Sequence, residues 1–428
     1  MGMTGKSKWL LPLALGASLL TPLAAQAVPS FARQTGLACA MCHTVFPQLT
    51  PYGREFKLTG YTAVGGAFSD KTQNSRLSED VMAPLSAMLQ VAYTSLKSGA
   101  NGAGTNAPAD YTDFPQQFSL FYAGRVSDKV GAFVQATLDN SNSIAMDNAD
   151  VRIADAINTE SGKQLIYGLS LNNAPTVEDI LNTTPVWAAA PAATSAWSPV
   201  NTPAGALLLG SDNVNTVTTG AVAYAMYDNS WYGSAGMYHN NNGANSATGI
   251  KGWAPYVRLA YQHDDGTTNW AVGAYGMTAD MTQNVTDTST PTSKVADTGV
   301  DAQYQYLNGI NTFTGRLNYM SEKVDDAANL GAAATGSTTM NSTSLTGTYF
   351  YDRRYGGSIG YFNTSGDANG PWGTSNKPDS SYWLAEYDYV PWLNTRFSLQ
   401  YTAYNKINGA TSGASDSNTL YALAWFMF

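Results

Sequence analysis

Most of the chain alternates between hydrophobic and polar residues, in segments of about ten residues that turn residues separate. In 311–321, for example, Phe313, Leu317 and Tyr319 alternate with polar residues. The same period of two is clear in 117–126, 130–139 and 396–404. Successive side chains of a β-strand point to opposite faces, so each segment predicts a strand with one apolar and one polar face.

Sixteen such segments follow one another, and they lie near 84–96, 115–126, 130–140, 148–157, 163–172, 217–227, 230–239, 253–263, 267–279, 297–306, 310–321, 340–351, 355–365, 380–389, 395–406 and 418–428. Short connections such as Asp228-Asn229 alternate with longer ones, of which the longest is 173–216. This alternation is typical of outer-membrane barrels, whose short turns face the periplasm. The sequence therefore predicts an all-β fold, an outer-membrane antiparallel β-barrel of about 16 strands over residues 84–428.

Composition is consistent with an exported barrel and restricts its partners. Charged residues make up 12% of the chain, about half the usual share, whereas the chain has 26 Tyr and 10 Trp. The net charge is −9, and it becomes −11 when the two lysines of residues 1–27 are removed. This acidic balance argues against nucleic acid as a partner. Outer-membrane lipid is the partner that a barrel implies.

Residues 1–27 are predicted to be a signal peptide. Its parts are the positive start with Lys6 and Lys8, the apolar stretch from Trp9 to Leu20, and the small-residue cleavage site Ala25-Gln26-Ala27. Cleavage at that site makes Val28 the first residue of the mature chain. Residues 28–80 then form a segment of their own, predicted to be mainly helical or irregular, ahead of the barrel.

The only two cysteines lie in the run Cys39-Ala40-Met41-Cys42-His43. Cys-x-x-Cys-His is the attachment sequence for c-type haem. Two thiols at this spacing add to the two vinyl groups of one porphyrin, and the adjacent imidazole reaches the iron as its proximal ligand. We therefore predict one covalent haem c on Cys39 and Cys42, with His43 as iron ligand. The alternative is a redox-active disulfide between the two cysteines.

The distal ligand of the iron is not evident from the sequence. Met41 lies between the two attachment cysteines and cannot reach the distal face. Met82 and Met88 are the nearest methionines beyond the segment, although each fits equally well as an ordinary apolar residue at the start of the barrel. His239 and His263 fall at strand ends, and His263, which shares the parity of the apolar Val257, Leu259 and Tyr261, is expected at the membrane interface. A vacant site and the amine of Val28 also stay open.

The segment 28–80 is smaller than the roughly 70–80 residues at which a single core usually suffices for stability. A barrel of about sixteen strands leaves an aqueous lumen that can hold a small folded segment. We therefore expect the haem segment at the periplasmic mouth of the barrel or within its lumen.

Two blocks of sequence resemble the fused cytochrome-porin family, the outer-membrane monohaem c-type cytochromes of iron-oxidising bacteria. The first block surrounds the haem motif and comprises Phe31-Ala32-Arg33-Gln34-Thr35-Gly36, Phe46-Pro47-x-Leu49 and the run from Tyr52-Gly53-Arg54 to Gly60-Tyr61-Thr62. The second block runs from Tyr167 to Asp179 and continues with Asn182-Thr183-Thr184-Pro185-x-Trp187.

The resemblance implies an Fe(II) oxidase, which takes electrons from extracellular Fe(II) and passes them through one haem to a periplasmic carrier such as another c-type cytochrome. Of the family's functional residues, Cys39, Cys42 and His43 carry over, whereas a distal ligand and an iron site do not. The acidic pairs Glu178-Asp179 and Asp325-Asp326 are expected to be solvated loop residues rather than cation ligands.

Two other functions stay open. A solute porin with an accessory haem head could be lined by the arginines on the polar faces of the strands, which are Arg125, Arg152, Arg316 and Arg396. Arginines at such positions are also common as structural charge pairs. An outward conduit that reduces external metal is the third reading, because the haem potential sets the direction of electron flow.

Overall fold

The fold is known from a computed structural model, and the structure describes residues 28–45, 48–64, 84–97, 110–139, 144–181, 207–209, 218–241, 248–287, 289–372, 377–392 and 394–428. The predicted signal peptide, Met82 and the block 182–187 lie outside these ranges. None of the helices within them has both the length and the apolar character that a membrane span needs.

Sixteen long strands and one strand of two residues make up a single sheet. The strands are β1 (Leu85–Leu96), β2 (Asp110–Ser127), β3 (Val130–Asp139), β4 (Ile144–Asn158), β5 (Gln164–Asn172), β6 (Thr218–Tyr227), β7 (Trp231–Asn240), β8 (Gly249–Ile250), β9 (Ala254–Asp264), β10 (Thr268–Thr282), β11 (Ser293–Leu307), β12 (Asn311–Asp325), β13 (Thr338–Tyr351), β14 (Tyr355–Gly366), β15 (Ser380–Trp392), β16 (Thr395–Lys406) and β17 (Thr419–Met427).

The sheet closes into an antiparallel barrel. β1 pairs with both β2 and β17, with Met88 opposite Met427. β7 pairs directly with β9, so the short β8 is an addition beside the wall and not one of its strands. The wall therefore has sixteen strands, as the sequence predicts, and the two-residue β8 was too short for a periodic pattern to find.

Exposure alternates along the strands as the hydrophobic pattern predicts. In β12, Phe313 and Leu317 are exposed on the outer surface, whereas Thr314 and Arg316 are buried on the inner side. An apolar exterior with polar residues inside is the arrangement of an outer-membrane barrel. That the inward polar residues are buried means that the interior is filled at these positions.

Three short helices follow one another in the N-terminal part of the chain: α1 (Pro29–Thr35), α2 (Cys39–Cys42) and α3 (Pro51–Leu58). Two of them have a proline in the first turn, where no backbone donor is needed. Gly36 ends α1 in the left-handed conformation at φ 69° and donates to the Ala32 carbonyl. The Thr50 hydroxyl caps α3 by accepting from the Gly53 amide.

Residues 28–45 and 48–64, which we call the plug, lie inside the barrel at the end that carries the short turns. Hydrogen bonds join the plug to nine strands around the wall, through the pairs Ser30–Ser86, Gln34–Arg125, Tyr61–Asp150, Leu58–Tyr224, Arg54–Gln262, Arg54–Asn269, Arg54–Gln305, Thr44–Thr314 and Gln48–Thr348. The described residues of the plug therefore contact the inner side of the wall on most of its circumference.

The other half of the interior, toward the long connections, holds an apolar cluster that we call the upper cluster. Its members include Leu207, Leu208, Leu209, Val222, Tyr238, Tyr256, Tyr275, Met281, Met320, Met340 and Trp372. Leu207–Leu209 come from the long connection between β5 and β6, and they are held in the barrel by two wall carboxylates. Glu322 accepts from the amides of Leu207 and Leu208, and Asp297 accepts from that of Leu209.

A candidate haem site in the barrel interior

The two cysteines and His43 occupy one short helix and the residue after it. Cys39 and Cys42 are the first and last residues of α2, so they are three positions apart and lie on the same face of the turn. His43 follows with an extended backbone at φ −128°, and its amide donates to the Cys39 carbonyl at 2.9 Å. The helix thus presents both thiols and the imidazole in one place.

Close packing of α3 fixes the position of α2. A Cβ added at Gly53 would lie 2.2 Å from the Cys42 carbonyl oxygen, so only glycine allows this approach. Thr50 adds two hydrogen bonds, from its amide to the Cys42 carbonyl at 2.9 Å and from its hydroxyl to the Met41 carbonyl. The haem motif is therefore held by backbone contacts within the plug.

Cys39, Cys42 and His43 line one cavity of about 920 Å³, a volume that includes its open mouth. Most of its wall is apolar, as is usual for cofactor sites. The plug contributes Val28, Phe31, Ala32, Leu37, Ala38, Leu49 and Phe56, and the rest of the chain contributes Phe133, Asp150 and Val177. The cavity is therefore completed by the barrel wall and does not belong to the plug alone.

Aromatic rings form one side of the cavity. The Phe31 ring packs edge-on against Phe56 at 5.1 Å between centroids and stacks on Tyr61 at 5.3 Å and on Phe133 at 6.3 Å. Phe133 belongs to β3 and points inward among polar residues. Such a ring provides a flat, dry wall, as a porphyrin face requires.

A network of buried charges lies at the polar edge of the cavity. Tyr61 donates to Asp150 at 2.6 Å, and Arg152 pairs with Asp150 at 2.7 Å and with Glu178 at 3.2 Å. The Lys57 ammonium donates to the Val177 carbonyl. Burial lowers the pKa of Lys57 to about 8, an effect that neighbouring Arg152 reinforces and the nearby carboxylates oppose.

The expectation that Glu178 and Asp179 are solvated is wrong. Both are fully buried, because the first residues of the connection after β5 turn into the lumen. Asp179 pairs with Arg258 at 3.2 Å, and Arg258 also pairs with Asp301. Their partners lie on distant strands, so the ion pairs could not be inferred from the local sequence.

The remaining acidic and basic candidates have structural partners. Asp325 is partly exposed and accepts from Ser337 and Lys323. Among the arginines considered as pore-lining residues, Arg152 forms the pairs described above, and Arg125 and Arg396 pair with Asp128 and Asp388. Arg316 is buried on the inner face of β12. Within the described ranges, no three His, Cys, Asp or Glu side chains cluster in a way that could hold a metal ion.

The two thiols are not joined in a disulfide and are half-buried. Burial and then the neighbouring Cys39 raise the pKa of the Cys42 thiol to about 11. The thiol spacing, the adjacent imidazole and the apolar cavity fit a covalent haem.

The residues considered as distal ligands of the haem iron lie in different places. Met88 faces the interior and packs in a buried group with Val28, but it does not line the cavity. Met82 lies outside the described residues, so both methionines stay predictions. His239 and His263 are exposed on the barrel wall, beside Trp253 and Trp270.

Several residues of the site were missed at the level of sequence. Phe133 was one of them, and its signal was an aromatic ring on the polar side of an alternating strand. Asp150 and Val177 gave no such signal, because only closure of the barrel brings them to the cavity.

No protein-family model matches the chain, and no curated protein matches it. Among solved structures, the chain is similar to a loop L8 deletion mutant of OmpT, an outer membrane protein of Vibrio cholerae, at 14% identity over 80% of this chain and 98% of that one, with a TM-score of 0.47. It is also similar to OmpF of Salmonella typhi in complex with daunomycin, at 14% identity over 80% of this chain and 97% of that one, with a TM-score of 0.49. A third similar structure is the outer membrane channel DcaP of Acinetobacter baumannii, at 11% identity over 83% of this chain and 99% of that one, with a TM-score of 0.48. Likeness at this level carries no argument about function.

Proposed function

We propose that this protein is an electron-transfer protein of the bacterial outer membrane, which takes electrons from Fe(II) outside the cell and delivers them to a periplasmic carrier by way of one haem c on Cys39 and Cys42. The observation that carries the proposal is that both thiols and His43 line one apolar cavity inside the barrel. The resemblance of the two sequence blocks to the fused cytochrome-porin family supports Fe(II) as donor and a c-type cytochrome as acceptor.

The chain's own residues have separate tasks in this function. The haem supplies a one-electron redox centre when bound, and His43 is the residue that would hold its iron. Phe31, Phe56 and Phe133 exclude water from the cavity, which favours a defined potential by lowering the local dielectric constant. The buried pairs around Asp150 supply fixed charges at its edge.

The position of the cavity supports transfer across the membrane. A haem left wholly outside the barrel would be separated from an external donor by an apolar band about 25 Å tall. The cavity lies within the barrel and is partly built by β3 and β4. A haem in this cavity would be closer to an external electron donor than a haem outside the barrel.

A second candidate function is a solute porin with an accessory haem. The sixteen-stranded wall with polar inward residues favours it, because barrels of this size usually leave an aqueous channel. Against it stand the plug and the upper cluster, which fill both halves of the interior among the described residues. A third candidate is an outward conduit that passes electrons to an external metal. It differs from the Fe(II) oxidase only in the reduction potential of the haem.

The test places the purified full-length protein in vesicles and adds Fe(II) outside while the haem absorption is followed. Prompt reduction is expected. A haem that stays oxidised while solutes leak rapidly would overturn the proposal in favour of a porin, and reduction only by a reductant supplied inside would favour the outward conduit.

The matched variant is His43→Ala, which removes the iron ligand but no residue of the wall. It should insert normally and lose reduction by Fe(II). A variant that reduces as fast as the unaltered protein would show that His43 is not the ligand. Arg354→Ala, at an exposed turn of the barrel, serves as the control for handling and insertion.

A further inference from the structure

We propose that the α-amino group of Val28, set free when the signal peptide is cleaved, is the distal ligand of the haem iron. The inference rests on the proposed attachment of haem at Cys39 and Cys42 and adds the second axial ligand to it. The iron would then have two nitrogen ligands, the imidazole of His43 and the terminal amine.

The contents of the cavity that Cys39, Cys42 and His43 all line lead to this assignment. Its described lining includes no methionine and no histidine other than His43. Four further lining residues carry a polar side chain, and they are Thr35, Lys57, Tyr61 and Asp150. Met427 lines only a second cavity, which Cys39 and His43 border but Cys42 does not.

Each of those four side chains is already engaged. The Thr35 hydroxyl donates to the Phe31 carbonyl, and Tyr61 donates to Asp150. Asp150 also accepts from Arg152 and Ser170. Lys57 donates to the carbonyl of Val177, and burial lowers the pKa of its ammonium to about 8 although three nearby carboxylates oppose that shift.

Val28 lines the same cavity and is only 3% exposed. It is also the residue that cleavage after Ala25-Gln26-Ala27 makes the first of the mature chain. Processing therefore creates a new nitrogen donor at a residue that already lies against the site. An amine must lose one proton to coordinate a metal, and an α-amino group, with an ordinary pKa of about 7.7–8.0, does so close to neutral pH.

The backbone at Val28 suits a chain that begins there. Val28 has φ 36° and ψ 75°, in the left-handed region. A β-branched residue is strained in this region because its Cβ approaches backbone carbonyl oxygens. A chain that begins at Val28 lacks the preceding carbonyl and so that part of the strain.

The plug also holds Val28 in place. The Val28 carbonyl accepts from the Phe31 amide at 3.0 Å, and Pro29 restricts the chain between them. The Ser30 amide donates to the Ser86 hydroxyl at 3.0 Å, and Arg33 donates to the Leu85 carbonyl, so α1 is anchored to β1. A ligand on an anchored helix costs little ordering on binding.

Isotope labelling gives the direct test. The full-length, haem-loaded protein is prepared with heavy nitrogen in valine only or in lysine only, and electron–nuclear double resonance is recorded on the oxidised haem. The valine-labelled sample should show a strong coupling from a directly bound nitrogen, and the lysine-labelled sample none. Coupling from labelled lysine would overturn the proposal in favour of Lys57. Methionine-type absorption that is lost in Met88→Leu would overturn it in favour of Met88.

A pair of variants tests the same point by position. Insertion of one alanine between Ala27 and Val28 moves the amine by one residue, whereas Val28→Ala keeps an amine at the same place. The insertion should abolish the low-spin signal of the unaltered protein, and Val28→Ala should keep it. Equal spectra in the insertion variant and the unaltered protein would contradict the assignment.

Mass spectrometry separates this proposal from the one on which it rests. The mature unaltered chain should begin at Val28 and carry one covalent haem. A chain that carries haem but begins elsewhere overturns only the distal ligand. A chain without covalent haem overturns both.

Discussion

The two halves of the barrel interior are filled by different means. On the side of the short turns, the plug meets the wall through apolar contacts and, in addition, through many side-chain hydrogen bonds. The fully buried Arg54 alone donates to Gln262, Asn269 and Gln305. On the side of the long connections, the upper cluster is apolar, and its main polar contacts are those of Glu322 and Asp297.

The difference indicates a division of tasks. Directional hydrogen bonds fix one orientation of a segment, as a cofactor site requires, whereas apolar contact excludes water without fixing a register. Burial lowers the pKa of Arg54 to about 10, so its guanidinium stays charged at neutral pH and keeps its donors. The plug half is thus suited to hold a site, and the upper half to close the barrel.

The largest effect is expected for Arg54→Ala. The change removes the donor to three wall amides and to the Leu49 carbonyl, and each buried acceptor left unsatisfied costs about 1–3 kcal/mol. The plug should loosen, and limited proteolysis should then cleave it at its lysine and arginine residues. Arg354→Ala, at an exposed turn, should leave the cleavage pattern unchanged. An intact plug in Arg54→Ala would mean that the polar contacts do not hold it.

The next largest effect is expected for Gly53→Ala. The added methyl would meet the Cys42 carbonyl at 2.2 Å, and overpacking of this kind costs about 1–3 kcal/mol. Displacement of α2 should lower the amount of haem bound per chain, measured from the haem absorption of the purified protein. The control is Gly315→Ala, where the nearest atoms are at ordinary contact distance from 3.5 Å outward. Equal haem content in both variants would contradict the role given to the packing of α3.

A smaller and separate effect is expected for Glu322→Ala. The change removes the acceptor of the Leu207 and Leu208 amides and of the Trp372 indole. A buried donor left without its acceptor costs about 1–3 kcal/mol, so Leu207–Leu209 should detach from the wall while haem attachment stays normal. Ion conductance in planar bilayers should rise most when Glu322→Ala and Arg54→Ala are combined.

Asp325→Ala is the control for this variant, because Asp325 lies on the same strand and is partly exposed. Loss of haem in Glu322→Ala would show that the two halves are not independent.

The sequence predicts the strands of the barrel wall far better than the course of the segments inside the barrel. The strands were found because alternation reports which face of each strand meets lipid, a local property. The course of residues 173–181 was not found, since it depends on the pairing of Glu178 and Asp179 with Arg152 and Arg258 on other strands. Local polarity suggested solvated loop acids where the closed barrel has buried ion pairs.

The candidate site likewise has a part that the sequence predicts and a part that it does not. Cys39, Cys42 and His43 could be identified because their chemistry is written in five adjacent residues. The walls of the cavity could not, because Phe133 and Asp150 reach it only through closure of the sheet. The position of Val28 beside the thiols likewise becomes visible only in three dimensions.

The central claim is that the cysteines carry haem, and the most direct measurement is the mass of the mature protein made in cells that assemble c-type cytochromes. The account predicts a mass increased by one haem, with the addition on the peptide that contains Cys39 and Cys42. An unmodified mass, with both thiols open to alkylation, would contradict it.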